Sequence, residues 1–131
     1  KIEARDEKRW GVLWDGYCRF YERRGDGVIG IAHYVIHENT WTLTPVCYLE
    51  DLFVRPEARG SGLGKALLSH LAMLAVERDC ARLEWSVLDW NDPAIGFYKK
   101  LGARLMDEWT VMRVDGTALQ QLGAGARVSA A

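Results

Sequence analysis

The sequence predicts one α/β domain built on a mixed, mostly antiparallel sheet with flanking helices. Three observations carry that reading. Two β-branched apolar runs, residues 28–36 and 46–54, are separated only by a polar stretch and read as long neighbouring strands. Leu63, Leu67, Leu71 and Leu74 then recur at helical spacing. Asp92-Pro93 opens a further helix, and Gly102 stands where a left-handed cap closes one. At 131 residues the chain is long enough for one hydrophobic core, expected over 1–122. The small, polar end, 123–131, is expected to be a flexible tail.

Taken in order, residues 2–5 suit a short strand, and Asp6 caps a helix running to position 22. Trp10, Leu13, Trp14, Tyr17, Phe20 and Tyr21 give that helix one apolar stripe. Gly25-Asp26-Gly27 marks a turn before the strand at 28–36. Residues 37–45 are polar and loop-like apart from Trp41, and the strand at 46–54 is stopped by Pro56. A helix over 62–78 and a strand over 82–88 follow. The next helix has Asp92 as N-cap and Pro93 at its first position, and runs to 101. Strand-like segments at 103–106 and 109–114 and a short helix at 117–122 complete the order.

Composition narrows the function classes. A net charge of −1 gives no reason to expect nucleic acid or an anionic membrane as partner. Cys18, Cys47 and Cys80 are far apart, so neither a zinc site nor a disulfide framework is expected, and a reducing, cytoplasmic setting fits. No apolar run approaches the roughly 20 residues of a membrane span, and no signal peptide is recognised. His33, His37 and His70 lack metal-ligand spacing, so no metal is expected.

The chemistry-bearing stretch is "RPEARGSGLGKALL", residues 55–68. A Walker A loop ending at Lys65 needs glycine where Arg59 stands and a hydroxyl where Ala66 stands. A Rossmann fingerprint needs G-x-G-x-x-G after the first strand of a βαβ unit, whereas these glycines run G-x-G-x-G after an internal strand. A plain glycine-rich turn before a helix is the bland alternative. Glycines opening a helix let backbone N–H groups approach an anion, and Arg59 and Lys65 add charge. With no metal ligand nearby, the loop suits a phosphate that is held rather than cut.

Arg59-Gly60-Ser61-Gly62-Leu63-Gly64 matches R-x-x-G-x-G, the acetyl-coenzyme A pyrophosphate signature of the GNAT N-acetyltransferase superfamily. "YLEDLFVRPEARGSGLGKALL", "EWSVLDWNDPAIGFYKKLGA" and "MDEWTVMRVDGTAL" together resemble the spermidine/spermine (diamine) and thialysine acetyltransferase branch. The likeness covers roughly residues 28–119, with a weaker match in "LWDGYCRFYE". It implies a GNAT-type fold with acetyl-CoA as donor. Members carry a further helix and strand before the segment matching 28–36. The resemblance therefore implies a segment missing near 22–25, at Arg23-Arg24, rather than a deletion that would remove a sheet strand.

Acetyl transfer to an amine needs a neutral nitrogen, although a free alkyl amine has a pKa of about 10.4. A base must take a proton, donors must hold the developing oxyanion, and an acid must protonate the leaving thiolate. Glu50 and Asp51 interrupt an apolar strand, and strict alternation places them on opposite faces, where a buried carboxylate needs a partner. One reading makes either carboxylate half of a structural ion pair; the resemblance instead makes Glu50 the base, through water, and Asp51 a holder of the cationic acceptor. Tyr98 is either core packing, like Phe97, or, by resemblance, the general acid. The resemblance also implies backbone contacts to the donor from Leu52, Phe53 and Val54, and a pyrophosphate grip from Arg59, Gly60, Ser61, Gly62, Leu63, Gly64 and Lys65. Asn91 and Ala94 are further donor contacts by resemblance, Asn91 having a helix-cap neighbour role as its alternative. Lys100 either meets coenzyme phosphates or is a solvated helix residue. Asp107, Glu108 and Trp109 match the segment that meets polyamine in the family, and Trp41 and Glu38 are further acceptor candidates, tryptophan faces suiting ammonium groups.

The expected activity is acetyl transfer to a small polyamine-like or thialysine-like amine. Competing readings are a protein or aminoglycoside acceptor, and a non-catalytic acyl-coenzyme A sensor. A homodimer is implied by the resemblance alone.

Overall fold

The computed structural model describes residues 17–21 and 28–129. Four strands, β1 (Tyr17–Tyr21), β2 (Val28–His37), β3 (Val46–Val54) and β4 (Leu83–Glu84), form one sheet in the order β1-β2-β3-β4. The first two pairings are antiparallel and the last is parallel, so the sheet is mixed and mostly antiparallel, as predicted. Helix α1 (Leu63–Glu77) packs on all four strands. Helices α2 (Asp92–Lys100) and α3 (Gly116–Ser129) follow. Packing divides the chain into two units, Lys1–Gly96 and Phe97–Ala131, with α2 starting in the first and ending in the second.

The core of the first unit lies between α1 and the sheet. Leu67, Leu68, Leu71 and Ala75 on α1, and Ala32, Tyr34, Cys47 and Leu49 on β2 and β3, are buried there, while Val46, in register with His37, is buried on the opposite face. Leu63 and Leu74 of the predicted leucine stripe are half-buried at its margins. Gly30 permits the close helix–sheet approach: a Cβ there would stand 3.1 Å from Leu63, 3.2 Å from Leu67 and 3.3 Å from the Phe53 carbonyl.

β2, β3 and α1 fall where the sequence placed them. Other elements differ. Tyr17–Tyr21 is a strand paired with β2, not the end of a helix. Aromatic residues fit a pleated surface as well as a helix face, and the β2 edge offers ladder hydrogen bonds. The remainder of the expected helix, the strand at 2–5, the turn at 25–27 and the break near 22–25 lie outside the described residues. The strand expected over 82–88 pairs only at Leu83–Glu84. Residues 103–106 and 109–114 form no strand, since an extended segment needs a ladder partner and these have none among the described residues. α3 runs from Gly116 to Ser129, past the expected 117–122 and through most of the presumed tail; alanine at 118, 124 and 126 favours its extension. Among the described residues, no helix is long and apolar enough to cross a membrane.

Candidate active site

The site is built around the second half of β3. Tyr34 pairs with Leu49 and His33 with Asp51, so Glu50 is an extra residue on β3, a β-bulge. A bulge bends its strand and interrupts alternation. The expectation that Glu50 and Asp51 occupy opposite faces of a regular apolar strand therefore fails, and both are exposed. Among the described residues, ion pairs join Arg55 to Glu57 at 3.7 Å and Arg82 to Glu84 at 3.4 Å, and neither involves Glu50 or Asp51.

The same bend explains why β4 is short. β3 and β4 are paired only at Cys47–Leu83 and Tyr48–Glu84. Beyond Tyr48 the two strands separate, leaving one edge of residues 49–54 without a strand partner among the described residues. Arg55 donates its N–H to the Ile29 carbonyl at 2.8 Å, so it faces β2. The strand period then turns Phe53 to β2, and Leu52 and Val54 to the open edge. Of the three backbone contacts the sequence suggested, Leu52 and Val54 point their polar groups outward to that edge, and Phe53 does not. The Val54 carbonyl, on the open side, accepts the Arg59 Nε–H at 3.0 Å.

The edge runs directly into the glycine loop. A 3-10 turn, Pro56–Ala58, leads to Gly60 and Gly62, at φ +81° and +82°. A Cβ at either glycine would meet nothing within 4 Å, so the backbone conformation, not space, calls for glycine. Gly62 is the N-cap of α1 and provides no side-chain cap. The N–H groups of Leu63, Gly64 and Lys65 precede any intrahelical acceptor, and the helix dipole adds positive potential there. Ser61 donates its hydroxyl proton to the Ala58 carbonyl, fixing the turn. The donor set therefore fits an extended carrier along the β3 edge followed by an anion at the α1 N-terminus.

Trp41 lies in the β2–β3 loop, 90 % exposed, its N–H bonded to the Asn39 Oδ1 at 2.7 Å. Glu38 is exposed in the same loop. α2 corrects one expectation: Asn91, not Asp92, is its N-cap. The Asn91 Oδ1 accepts the Ala94 N–H at 3.4 Å and the Asn91 carbonyl accepts the Ile95 N–H at 3.0 Å. Asp92 occupies the first turn, where its charge favours the dipole.

The second unit holds Tyr98, Lys100 and residues 107–109. Gly102, at φ +99°, closes α2 in a Schellman cap. The Ala103 N–H reaches the Tyr98 carbonyl at 3.1 Å, and the Gly102 N–H reaches that of Lys99 at 3.0 Å. Tyr98 is half-buried, its ring 5.4 Å from that of Phe97 at a tilt of 55°. Burial pushes its phenol above the usual tyrosine range. Lys99 and Lys100 are exposed in the last turn of α2, where they complement the dipole. Asp107 and Glu108 are the central residues of a turn closed by the Trp109 N–H on the Met106 carbonyl at 3.2 Å, and all three are exposed.

Sequence reading missed a further contact. The hydroxyls of Tyr48 and Ser86 are 3.1 Å apart, across the point where β3 and β4 separate. Neither residue carries a motif that marks it; only the strand pairing shows why they meet.

Known proteins resemble this chain in sequence and in fold. A thialysine N-epsilon-acetyltransferase of Sus scrofa is 38% identical over 104 residues, covering 77% of this chain and 61% of its own length. An L-ornithine N5-acetyltransferase of Arabidopsis thaliana is 45% identical over 75 residues, 57% of this chain and 33% of that protein. The structure of an integron cassette protein from the mobile metagenome of V. cholerae superposes with a TM-score of 0.76 at 37% identity, covering 82% of this chain and 65% of that one. The chain thus spans about 61% of the curated thialysine acetyltransferase it matches. The model of the Acetyltransferase (GNAT) family matches residues 2–103, and with an open, bulged β3 running into a glycine-opened helix, this chain belongs to that family.

Proposed function

We propose that this protein transfers the acetyl group of acetyl-CoA to a primary amine of a small cationic acceptor, of the thialysine, ornithine or diamine kind. The observation that carries the proposal is the β3 edge beside the Glu50 bulge, without a strand partner among the described residues and continuous with the glycine-shaped N-terminus of α1. Similarity to enzymes named for thialysine and ornithine supports the acceptor class.

Leu52 and Val54 hold the extended part of the donor by their edge-facing backbone groups, and one of these amides polarises the thioester carbonyl. Gly60, Ser61, Gly62, Leu63, Gly64 and Lys65, with Arg59, hold the pyrophosphate. Asn91, Ala94 and Lys100 are assigned to the donor by resemblance. Acetyl-CoA supplies the activated acetyl thioester. Glu50, through a water, accepts the ammonium proton of the acceptor; its exposure on the bulge leaves room for that water. The neutral nitrogen forms the new C–N bond as the C–S bond breaks, Tyr98 gives its phenolic proton to the departing sulfur, and the second proton of the acylated nitrogen leaves to water, from which the Tyr98 phenolate regains one. A phenol is protonated at neutral pH, as a proton donor must be, and burial moves Tyr98 further toward that form. Asp51, Asp107, Glu108, Trp41 and Trp109 attract and orient the cationic acceptor. A homodimer, on resemblance, and a reducing, cytoplasmic setting, on the widely separated cysteines, complete the proposal.

The test is product analysis. The protein is incubated with acetyl-CoA and, separately, thialysine, ornithine, putrescine, spermidine and a lysine peptide, and products are weighed by mass spectrometry. N-acetylation of one or more small amines, ahead of the peptide, is the expected result. Preference for the peptide would move the acceptor to protein. Acetyl-CoA binding with no product from any amine would favour an acyl-coenzyme A sensor.

A further inference from the structure

Arg59 does more in this fold than present a charge. Its Nε–H is bonded to the Val54 carbonyl at 3.0 Å, and its guanidinium carbon is 6.0 Å from the centre of the Phe53 ring. Phe53 turns its backbone toward β2 but keeps its ring 45% exposed, which leaves a face for the guanidinium. One end of the loop is therefore tied back to the last two residues of β3 by a side chain that lies just before Gly60 and Gly62.

We infer that Arg59 and the Phe53 ring form a strap that sets the register in which the donor meets β3. This rests on the donor reading above. An unpaired edge carbonyl invites an extended ligand to continue the ladder. Arg59 occupies the Val54 carbonyl, so ladder pairing stops at the Val54 N–H. The next donors along the chain are the amides at the start of α1, which suit an anion rather than a strand. The strap thus marks where backbone pairing ends and pyrophosphate binding begins. It also restrains a loop whose two glycines would otherwise leave it many conformations. Arg59 and Phe53 act here as positioning residues.

The strap separates charge from geometry, and so does its test. Arg59→Lys keeps the charge but has no Nε–H in the fork that meets Val54; Phe53→Leu keeps the charge and removes the ring. Both sites are at the surface, and thermal melts establish folding. The first readout needs no ligand: amide hydrogen exchange at Ala58 and Ala66, whose N–H groups are bonded to the Arg55 and Gly62 carbonyls on either side of the loop, is expected to rise about fivefold in each variant, with the double variant no faster than Arg59→Lys alone. The second is acetyl-CoA: its KM is expected to rise about tenfold in Arg59→Lys while the acceptor KM stays put. Unchanged exchange in both variants, or independent additive effects of the two substitutions, would overturn the strap. An Arg59→Lys protein with unaltered acetyl-CoA KM would do the same, leaving Arg59 as a charge only. If the unmutated protein fails to bind acetyl-CoA, the donor reading falls, while the exchange arm still decides whether the strap exists.

Discussion

Tyr48 and Ser86 meet hydroxyl to hydroxyl, 3.1 Å apart, where β3 and β4 part. Tyr48 is the last β3 residue paired to β4, and Ser86 lies two residues past its partner Glu84. The bond closes the vertex of the opening from which the free β3 edge begins. Tyr48→Phe removes one hydroxyl and is expected to cost about 1 kcal/mol, read as a lower urea midpoint at unchanged slope. Ser86→Ala should cost a similar amount, and the two together little more than either, as befits one shared bond. Full additivity would show that the two hydroxyls act separately.

Gly62 caps α1 at φ +82° and ψ 8° with open space around its missing Cβ. Gly62→Ala should therefore lose stability by strain alone, about 1–2 kcal/mol, and Gly62→Asn less, since asparagine tolerates this region better. Calorimetric melting temperatures in the order glycine, asparagine, alanine are the expected outcome. Alanine equal to glycine would show that the loop has an alternative conformation.

Gly102 shapes the backbone that carries Tyr98, because the Ala103 N–H closes its cap on the Tyr98 carbonyl. Gly102→Ala should cost about 1 kcal/mol and reduce turnover more than donor affinity, since the proposed acid, not the phosphate grip, is displaced. Steady-state kinetics with donor and acceptor varied in turn separate the two effects.

Burial raises the Tyr98 phenol above its ordinary value near 10. The fold thus favours the neutral form. Its contribution to stability is fully present below the unfolded value and is lost as pH rises through the higher folded value. Ultraviolet titration of the phenolate, taken as the difference between the unmutated protein and Tyr98→Phe, should place the midpoint above about 10. A midpoint below that value would contradict the burial.

Much of this was legible in the sequence because it depends on local chemistry. β-branched runs mark β2 and β3, with Pro56 ending the second; leucine spacing and two glycines mark α1 and its entrance; Gly102 marks the end of α2. What escaped reading depends on pairing. Tyr17, Phe20 and Tyr21 suit a helix stripe as well as a strand, and the β2 edge decides between them. The bulge at Glu50 is invisible without its partner strand, and with it went the faces of Glu50 and Asp51. Asn91 and Asp92 are adjacent and both good caps; the side-chain bond to Ala94 selects the first. For Tyr98, the sequence and its resemblance suggest the role, and the burial that raises its phenol is seen only in the folded chain.

The central claim is that this chain moves an acetyl group to a small amine with Tyr98 as proton donor. Its most direct test is the initial rate of coenzyme A thiol release, with saturating acetyl-CoA and the best small amine, for the unmutated protein and Tyr98→Phe. The account predicts amine-dependent thiol release from the unmutated protein and a rate about 100-fold lower in Tyr98→Phe, with acetyl-CoA affinity retained. Equal rates in the two proteins, or no amine-dependent release from either, would contradict it.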